Sequence, residues 1–218
     1  MRIHFSISPN SETVPFDYQS LLLKRFHKWL GQNEIHDDIS LYSYSWLNGG
    51  KISKDGYIFP KGASWFFSAW DEAIIKQLIS GVMNDTALFN GMYIKEITMQ
   101  ETPVFGSENK FLVASPVLIR KYDETKKAKH IKYVEPEADI LLTETLKRKF
   151  TAANLNLDVA VCFDRESTKS KTKLVNINGI NNRANMCPVI IKGGAQALQF
   201  AWNVGVGHST GCGFGALY

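Results

Sequence analysis

The chain opens on strict alternation: Ile3, Phe5 and Ile7 are apolar between polar neighbours, the period-two pattern of a half-buried strand over residues 2–8. The period then lengthens. After Val14-Pro15-Phe16, Asp17 is a candidate N-cap, and Leu22, Phe26, Trp29 and Leu30 recur at helical spacing until Gly31 closes the element. Residues 39–47 (ISLYSYSWL) read as a second strand. Asn48-Gly49-Gly50 turns the chain, and a short hairpin through 57–59 leads into an apolar run at Ala63–Ala69. Asp71-Glu72 puts acids in the first turn of a helix reaching about Met83, where the helix dipole favours them, and residues 92–101 form a further strand. The order is β-α-β-β-α-β, the ferredoxin-like unit.

The second half repeats that order. Strands are expected at 111–119, 159–163, 172–177 and 186–192, helices at 137–150 and Ala195–Val204, and a closing strand at 214–218. Residues 121–136 are charged and read as an exposed connection. No residue-level repeat accompanies the second copy, so the duplication is architectural. The predicted fold class is α+β, two tandem ferredoxin-like units divided into 1–105 and 106–218, the second carrying a C-terminal glycine-rich loop. Two such units leave a cleft between two sheets, an architecture that many RNA-binding modules share but that does not decide function.

Composition narrows the class. A chain of 218 residues with 44% hydrophobic residues, including 13 Phe, 8 Tyr and 5 Trp, has a packed core and is not disordered. The net charge of +4 is uneven: residues 1–100 carry 9 Lys/Arg against 10 Asp/Glu, whereas 101–218 carry 16 against 11. A polyanion would meet the second half more favourably. Cys162, Cys187 and Cys212 are an odd number and far apart, which argues against a disulfide framework and against a zinc cluster. The opening residues lack the apolar block of a signal peptide, and no apolar stretch approaches the roughly 20 residues of a membrane span. These features predict a soluble protein of a reducing cytoplasm.

Chemistry concentrates at the C-terminus. Gly205, Gly207, Gly211, Gly213 and Gly215 fall within eleven residues after a helix. Such a segment either makes a tight helix-to-strand connection or lets backbone N–H groups approach a phosphate as an anion-binding nest. It is not a Walker loop, because no Gly-Lys-Ser/Thr follows.

With Phe200-Ala201-Trp202-Asn203-Val204-Gly205-Val206-Gly207 before it and Gly213-Phe214-Gly215 just before the last strand, this segment closely resembles the CRISPR repeat-processing endoribonucleases. These are the Cas proteins of the sixth type, within the repeat-associated RNA-binding superfamily. The first half agrees: Val14-Pro15-Phe16 enters the first helix, His36 follows that helix, and Tyr42-Ser43-Tyr44-Ser45 matches the family's aromatic-Ser/Thr-aromatic-Ser strand. The resemblance spans nearly the whole chain in order.

The resemblance implies internal transesterification of RNA. A general base takes the proton from a ribose 2′-OH, which attacks the adjacent phosphorus, and a general acid protonates the departing 5′-oxygen. The products are a 2′,3′-cyclic phosphate and a 5′-OH. Histidine, with an ordinary pKa of about 6.5, suits both roles. No cofactor or metal is implied, and the sequence has no HExxH, DxD or clustered Cys/His. The catalytic place of the family falls on His36, with His27 as its expected partner at a helical position where relatives often have tyrosine. Ser40 stands where some members have a lysine that steadies the reacting phosphate, so that charge must come from another residue; Lys24, Lys28 and Lys51 are the candidates. Expected RNA contacts are the five glycines, His208, Lys171, Lys173, Arg183 and Lys192. The implied partner is CRISPR repeat RNA, with a CRISPR effector complex and a homodimer left open. A non-catalytic guide-RNA binder of the same superfamily and a nucleotide-binding enzyme using the glycine segment are the alternatives, the latter lacking a Walker lysine.

Overall fold

The computed structural model describes residues 1–31, 39–125 and 127–218. The alternation at the start of the chain becomes strand β1 (Arg2–Ile7), whose Ile3, Phe5 and Ile7 are buried on one face. Helix α1 (Gln19–Leu30) buries Leu22, Phe26, Trp29 and Leu30 as the spacing predicted. Its N-cap is Tyr18 rather than Asp17, and no side chain caps it. Strands β2 (Tyr42–Tyr44), β5 (Ala63–Ala69) and β6 (Ile94–Gln100) join β1 in the order β2-β5-β1-β6, every pairing antiparallel, with the β3 (Lys51–Ile52) and β4 (Tyr57–Ile58) hairpin inserted between β2 and β5. That order is the ferredoxin-like one, because each helix crosses one strand before the chain returns to the sheet.

Helix α2 (Glu72–Asn84) is capped by the Asp71 carboxylate, which accepts from the Ala73 amide at 2.8 Å. It packs on α1 at Gly81, where any Cβ would overlap the Trp29 carbonyl, so the crossing depends on glycine. Trp65 and Phe67 of β5 close this core from the sheet side.

The second unit has the same topology. Strands β7 (Glu108–Phe111), β10 (Val159–Phe163) and β13 (Val189–Gly193) pair in the order β10-β13-β7. The expected strand at 111–119 is shorter and begins earlier. The expected closing strand is a ladder beside it: Ala114 donates to Ala216 at 2.8 Å, and Leu112 and Tyr218 exchange bonds of 3.1 and 3.0 Å. Helices α3 (Glu137–Ala152) and α4 (Ala195–Val204) cover the sheet, with Phe150 and Phe200 ring centroids 4.9 Å apart. At the charged connection, β8 (Arg120–Tyr122) and β9 (Ala128–His130) form a hairpin; between β10 and β13, β11 (Lys171–Ile177) and β12 (Ile180–Met186) form a second one. That second hairpin reaches α1 of the first unit, where the Asn178 amide donates to Ser20 Oγ at 3.0 Å. No described helix is long and apolar enough to cross a membrane.

Candidate functional site

A helix leaves the carbonyls of its last turn without partners of its own. Those of α4 are taken by side chains from distant parts of the chain, and they organise the seam between the units. Arg2 Nη2 donates to Trp202 O at 2.7 Å and to Leu217 O at 2.8 Å, and Ser43 Oγ donates to Asn203 O at 3.0 Å. Lys149 Nζ donates to Val204 O at 2.9 Å, to Gly205 O at 3.3 Å and to Thr210 Oγ1 at 2.9 Å. Two buried cations thus meet the negative end of the α4 dipole. The Arg2 guanidinium is also sandwiched by Phe66 and Trp202, at 4.0 and 3.7 Å from the ring centroids. Burial pulls its pKa down to about 9, so it stays charged at neutral pH. Burial pulls Lys149 to about 7. Its three acceptors oppose that pull, because only the ammonium form has three protons to donate.

The glycine-rich segment continues from this helix end. Gly205, Gly207, Gly213 and Gly215 have φ of 70, 75, 83 and 65°, in the left-handed region. A Cβ at Gly207 would come within 2.6 Å of the Leu118 carbonyl oxygen, one at Gly213 within 2.8 Å of the Tyr44 ring, and one at Gly215 would overlap the Val206 carbonyl. Gly211 faces the Ser40 and Tyr42 side chains in the same way. The glycines are therefore required by close packing of the segment on β2 and on 117–118. The amides of Gly205, Val206, His208, Cys212, Gly213 and Gly215 already donate to protein carbonyls, so an anion would draw on the other five amides of the segment, Gly207, Ser209, Thr210, Gly211 and Phe214. Among its polar side chains, the half-buried His208 and Ser209 also line a hollow beside the segment.

Two hollows flank this seam. The smaller, about 330 Å³, lies between Ile39-Ser40 of the first unit and Arg148, Lys149, His208 and Thr210 of the second. A neighbouring hollow shares Arg148 and His208 and adds Arg120. His208 Nδ1 accepts from the Arg120 amide at 3.3 Å, and burial, with Arg120 next in weight, pushes the imidazole pKa down to about 4. His208 is therefore neutral near pH 7 with its proton on Nε2. The larger hollow, about 590 Å³, lies on the opposite face of the first sheet and is lined by Arg2, His4, Trp46, Trp65, Phe66 and Tyr218. His4 Nε2 and Gln100 Oε1 are 2.7 Å apart at its floor.

The residues expected from sequence fall around these features unevenly. His36 lies outside the described residues; Ile39 and Ser40, a few positions further on, line the smaller hollow. His27 is half-buried on α1, its ring 5.3 Å from that of Phe26. Lys24 is exposed, Lys51 is exposed on β3, and Lys28 pairs with Asp85 at 3.1 Å. Arg25 also holds Asp85, at 2.7 Å, and the two cations bring that carboxyl down to about 2. None of these three lysines lines the smaller hollow. On the β11–β12 hairpin, Lys171 and Arg183 are exposed, and Lys173 Nζ sits 4.5 Å from the Trp46 ring centroid. Lys192 is paired with Glu108 at 3.2 Å on the other sheet. Sequence reasoning missed Arg148 and Lys149. The available signal was Lys149 itself, which falls on the apolar stripe of Leu142, Leu146 and Phe150, where an unpaired lysine does not belong.

Fold and seam define a tandem ferredoxin-like protein whose units are joined through α4 and the segment after it. The model of the family described as CRISPR associated protein Cas6, C-terminal, matches residues 99–218, more than half of the chain, and the chain belongs to that family. Solved structures of similar fold include one titled "CRISPR associated protein Cas6", with a TM-score of 0.85 and 20% identity over 100% of this chain and 98% of that one. A Cas6-related protein from Pyrococcus furiosus gives 0.86 and 18% over 100% and 97%. A third, titled "An RAMP protein binding different RNA substrates", gives 0.87 and 18% over 100% and 98%. At such identities these likenesses establish the fold. No curated protein sequence matches the chain.

Proposed function

We propose that this chain is a metal-independent endoribonuclease that binds CRISPR repeat RNA and cuts the precursor transcript by 2′-OH attack, releasing guide RNAs. The observation that carries this reading is family membership together with a cationic hollow that opens beside Ser40, at the end of the segment holding His36. His36 and His27 act as the acid/base pair. The units divide the work: 1–105 holds the histidines, and 106–218 holds the RNA through His208 and the basic hairpin carrying Lys171, Lys173 and Arg183. A single nick in repeat RNA incubated with the protein in excess EDTA, with a 2′,3′-cyclic phosphate and a 5′-OH at the new ends, is the expected result.

A second reading has its own support. Ser40 stands where some relatives have a phosphate-steadying lysine, and one solved relative is titled only as an RNA binder. Tight binding of repeat RNA with no cut, in EDTA or in magnesium, would make this chain a guide-RNA holder instead.

A further inference from the structure

We infer that the hollow beside Ser40 is a phosphate site, in which Arg148 and the Nε2–H of His208 hold one backbone phosphodiester of bound RNA. This assignment rests on the proposed RNA-binding function and supplies the charge that Ser40 does not. Lys149 lines the same hollow, yet its three protons are already directed at Val204 O, Gly205 O and Thr210 Oγ1. It contributes positive potential and no further hydrogen bond. Arg148 differs. Its side chain is 66% exposed, and the Glu144 carboxylate is 3.9 Å away, beyond hydrogen-bond distance. The planar fork of Arg148 can therefore turn to a phosphate and give it a charge-assisted hydrogen bond.

His208 is preorganised for the same ligand. The Arg120 amide holds Nδ1 as an acceptor, which leaves the proton on Nε2, and His208 lines both cationic hollows together with Arg148. The cations that disfavour a charged imidazole here, Arg120, Arg148 and Lys149, favour an anion placed next to it. A phosphodiester fits because it carries one negative charge on two separate non-bridging oxygens. One oxygen suits a charged fork and the other a neutral donor.

The site predicts two different signatures from its two residues. Binding is measured to a repeat RNA with a 2′-deoxy substitution at the cut position, so that cleavage does not intervene, and to a random-sequence RNA, each over a range of salt. Arg148→Ala should weaken repeat binding roughly tenfold and flatten the log–log salt slope by about 0.7, the single-strand value for one phosphate contact. His208→Asn keeps an acceptor for the Arg120 amide and loses the Nε2–H donor. It should weaken binding several-fold with an unchanged slope, because the lost group is uncharged. Thermal unfolding of both variants checks that the seam is intact. Wild-type slope and affinity in Arg148→Ala, on both RNAs, would overturn the site. So would a His208→Asn slope that drops as the arginine variant does. If wild-type protein shows no preference for the repeat but Arg148→Ala flattens the slope on both RNAs, the site stands and the repeat-recognition reading falls. Binding of neither RNA by the wild type removes both.

Discussion

The two hollows at the seam are built from similar parts and offer opposite things. Each contains one buried cation anchored to the C-terminal carbonyls of α4, Arg2 in the larger and Lys149 in the smaller. Lys149 gives all three of its protons to protein acceptors, and Arg2 gives those of Nε and Nη2 while Phe66 and Trp202 sandwich its guanidinium. What remains around Arg2 is aromatic and amide surface: Trp46, Phe66, Tyr218 and the His4–Gln100 pair. What remains around Lys149 is charge with donors to give, from Arg148 and His208. A cation contributes to ligand binding through the protons that the fold has left uncommitted, and a count of lysines and arginines in the sequence does not report that. The comparison also separates shapes of partner: flat, π-bearing groups suit the larger hollow and an oxyanion suits the smaller.

The chemistry assigned to the side of the smaller hollow can be broken most sharply at His36. His36→Ala should lower the single-turnover cleavage rate by about a hundredfold to ten-thousandfold, the usual effect of removing one member of an acid/base pair, with repeat affinity nearly unchanged. The wild-type rate should describe a bell against pH, with macroscopic values that belong to the pair, and His27→Ala should remove one limb. A wild-type rate in His36→Ala would remove His36, and with it the His36–His27 pair, from the chemistry.

Lys149 is next in size. Lys149→Met leaves the Val204 and Gly205 carbonyls buried without their donor and should cost about 2–5 kcal/mol of unfolding free energy. The pH trend identifies the cause. The folded pKa is depressed to about 7 against an ordinary 10.5, so between these values the unfolded chain binds the extra proton. Stability should therefore rise with pH from about 7 to 10 relative to Lys149→Met. A difference that stays flat across that window would mean that Lys149 keeps an ordinary pKa in the fold.

On the larger hollow, Trp46→Ala tests stacking. If a base lies on this indole, the loss should be about 1–3 kcal/mol of RNA binding, and unaltered affinity in titrations would confine RNA to the cationic side. The variant also removes the 2.9 Å bond from Trp46 Nε1 to Gly213 O, so unfolding is followed alongside. The smallest effects belong to the lysines. Lys173→Ala should flatten the salt slope by about 0.7, whereas Lys192→Ala should change it less, because Glu108 already neutralises that charge. Equal slopes from the two variants would place Lys192 on the RNA path after all.

Substituting the glycines, by contrast, does not isolate RNA contact. Gly207→Val or Gly213→Val would drive a side chain into the Leu118 carbonyl or the Tyr44 ring, so lost binding would report a damaged seam. The glycine spacing was plain in the sequence, but its reason lay in neighbours about 90 and 170 positions away in the chain.

Local periodicity by itself determined a good deal. The 2–8 alternation became β1, the apolar spacing before Gly31 became α1, and the Asp71-Glu72 start became the capped α2. These follow from near-neighbour geometry, because which face a side chain occupies depends only on the residues a few positions away. The motifs at 42–45 and 200–215 were sufficient to point to the family. Only the tertiary structure decided which cations are available to a ligand. Arg2 looks like an ordinary surface charge in sequence and Lys149 only stands out by its place on an apolar stripe; both become buried caps of α4 because acceptors 200 and 55 residues further on converge on them. Arg148, one position from Lys149, borders the same hollow but is rotated by about 100° around α3, which leaves its side chain 66% exposed and free of those carbonyls. Burial and commitment of a charge are properties of the assembled seam, and local sequence carries no record of which carbonyl will arrive there.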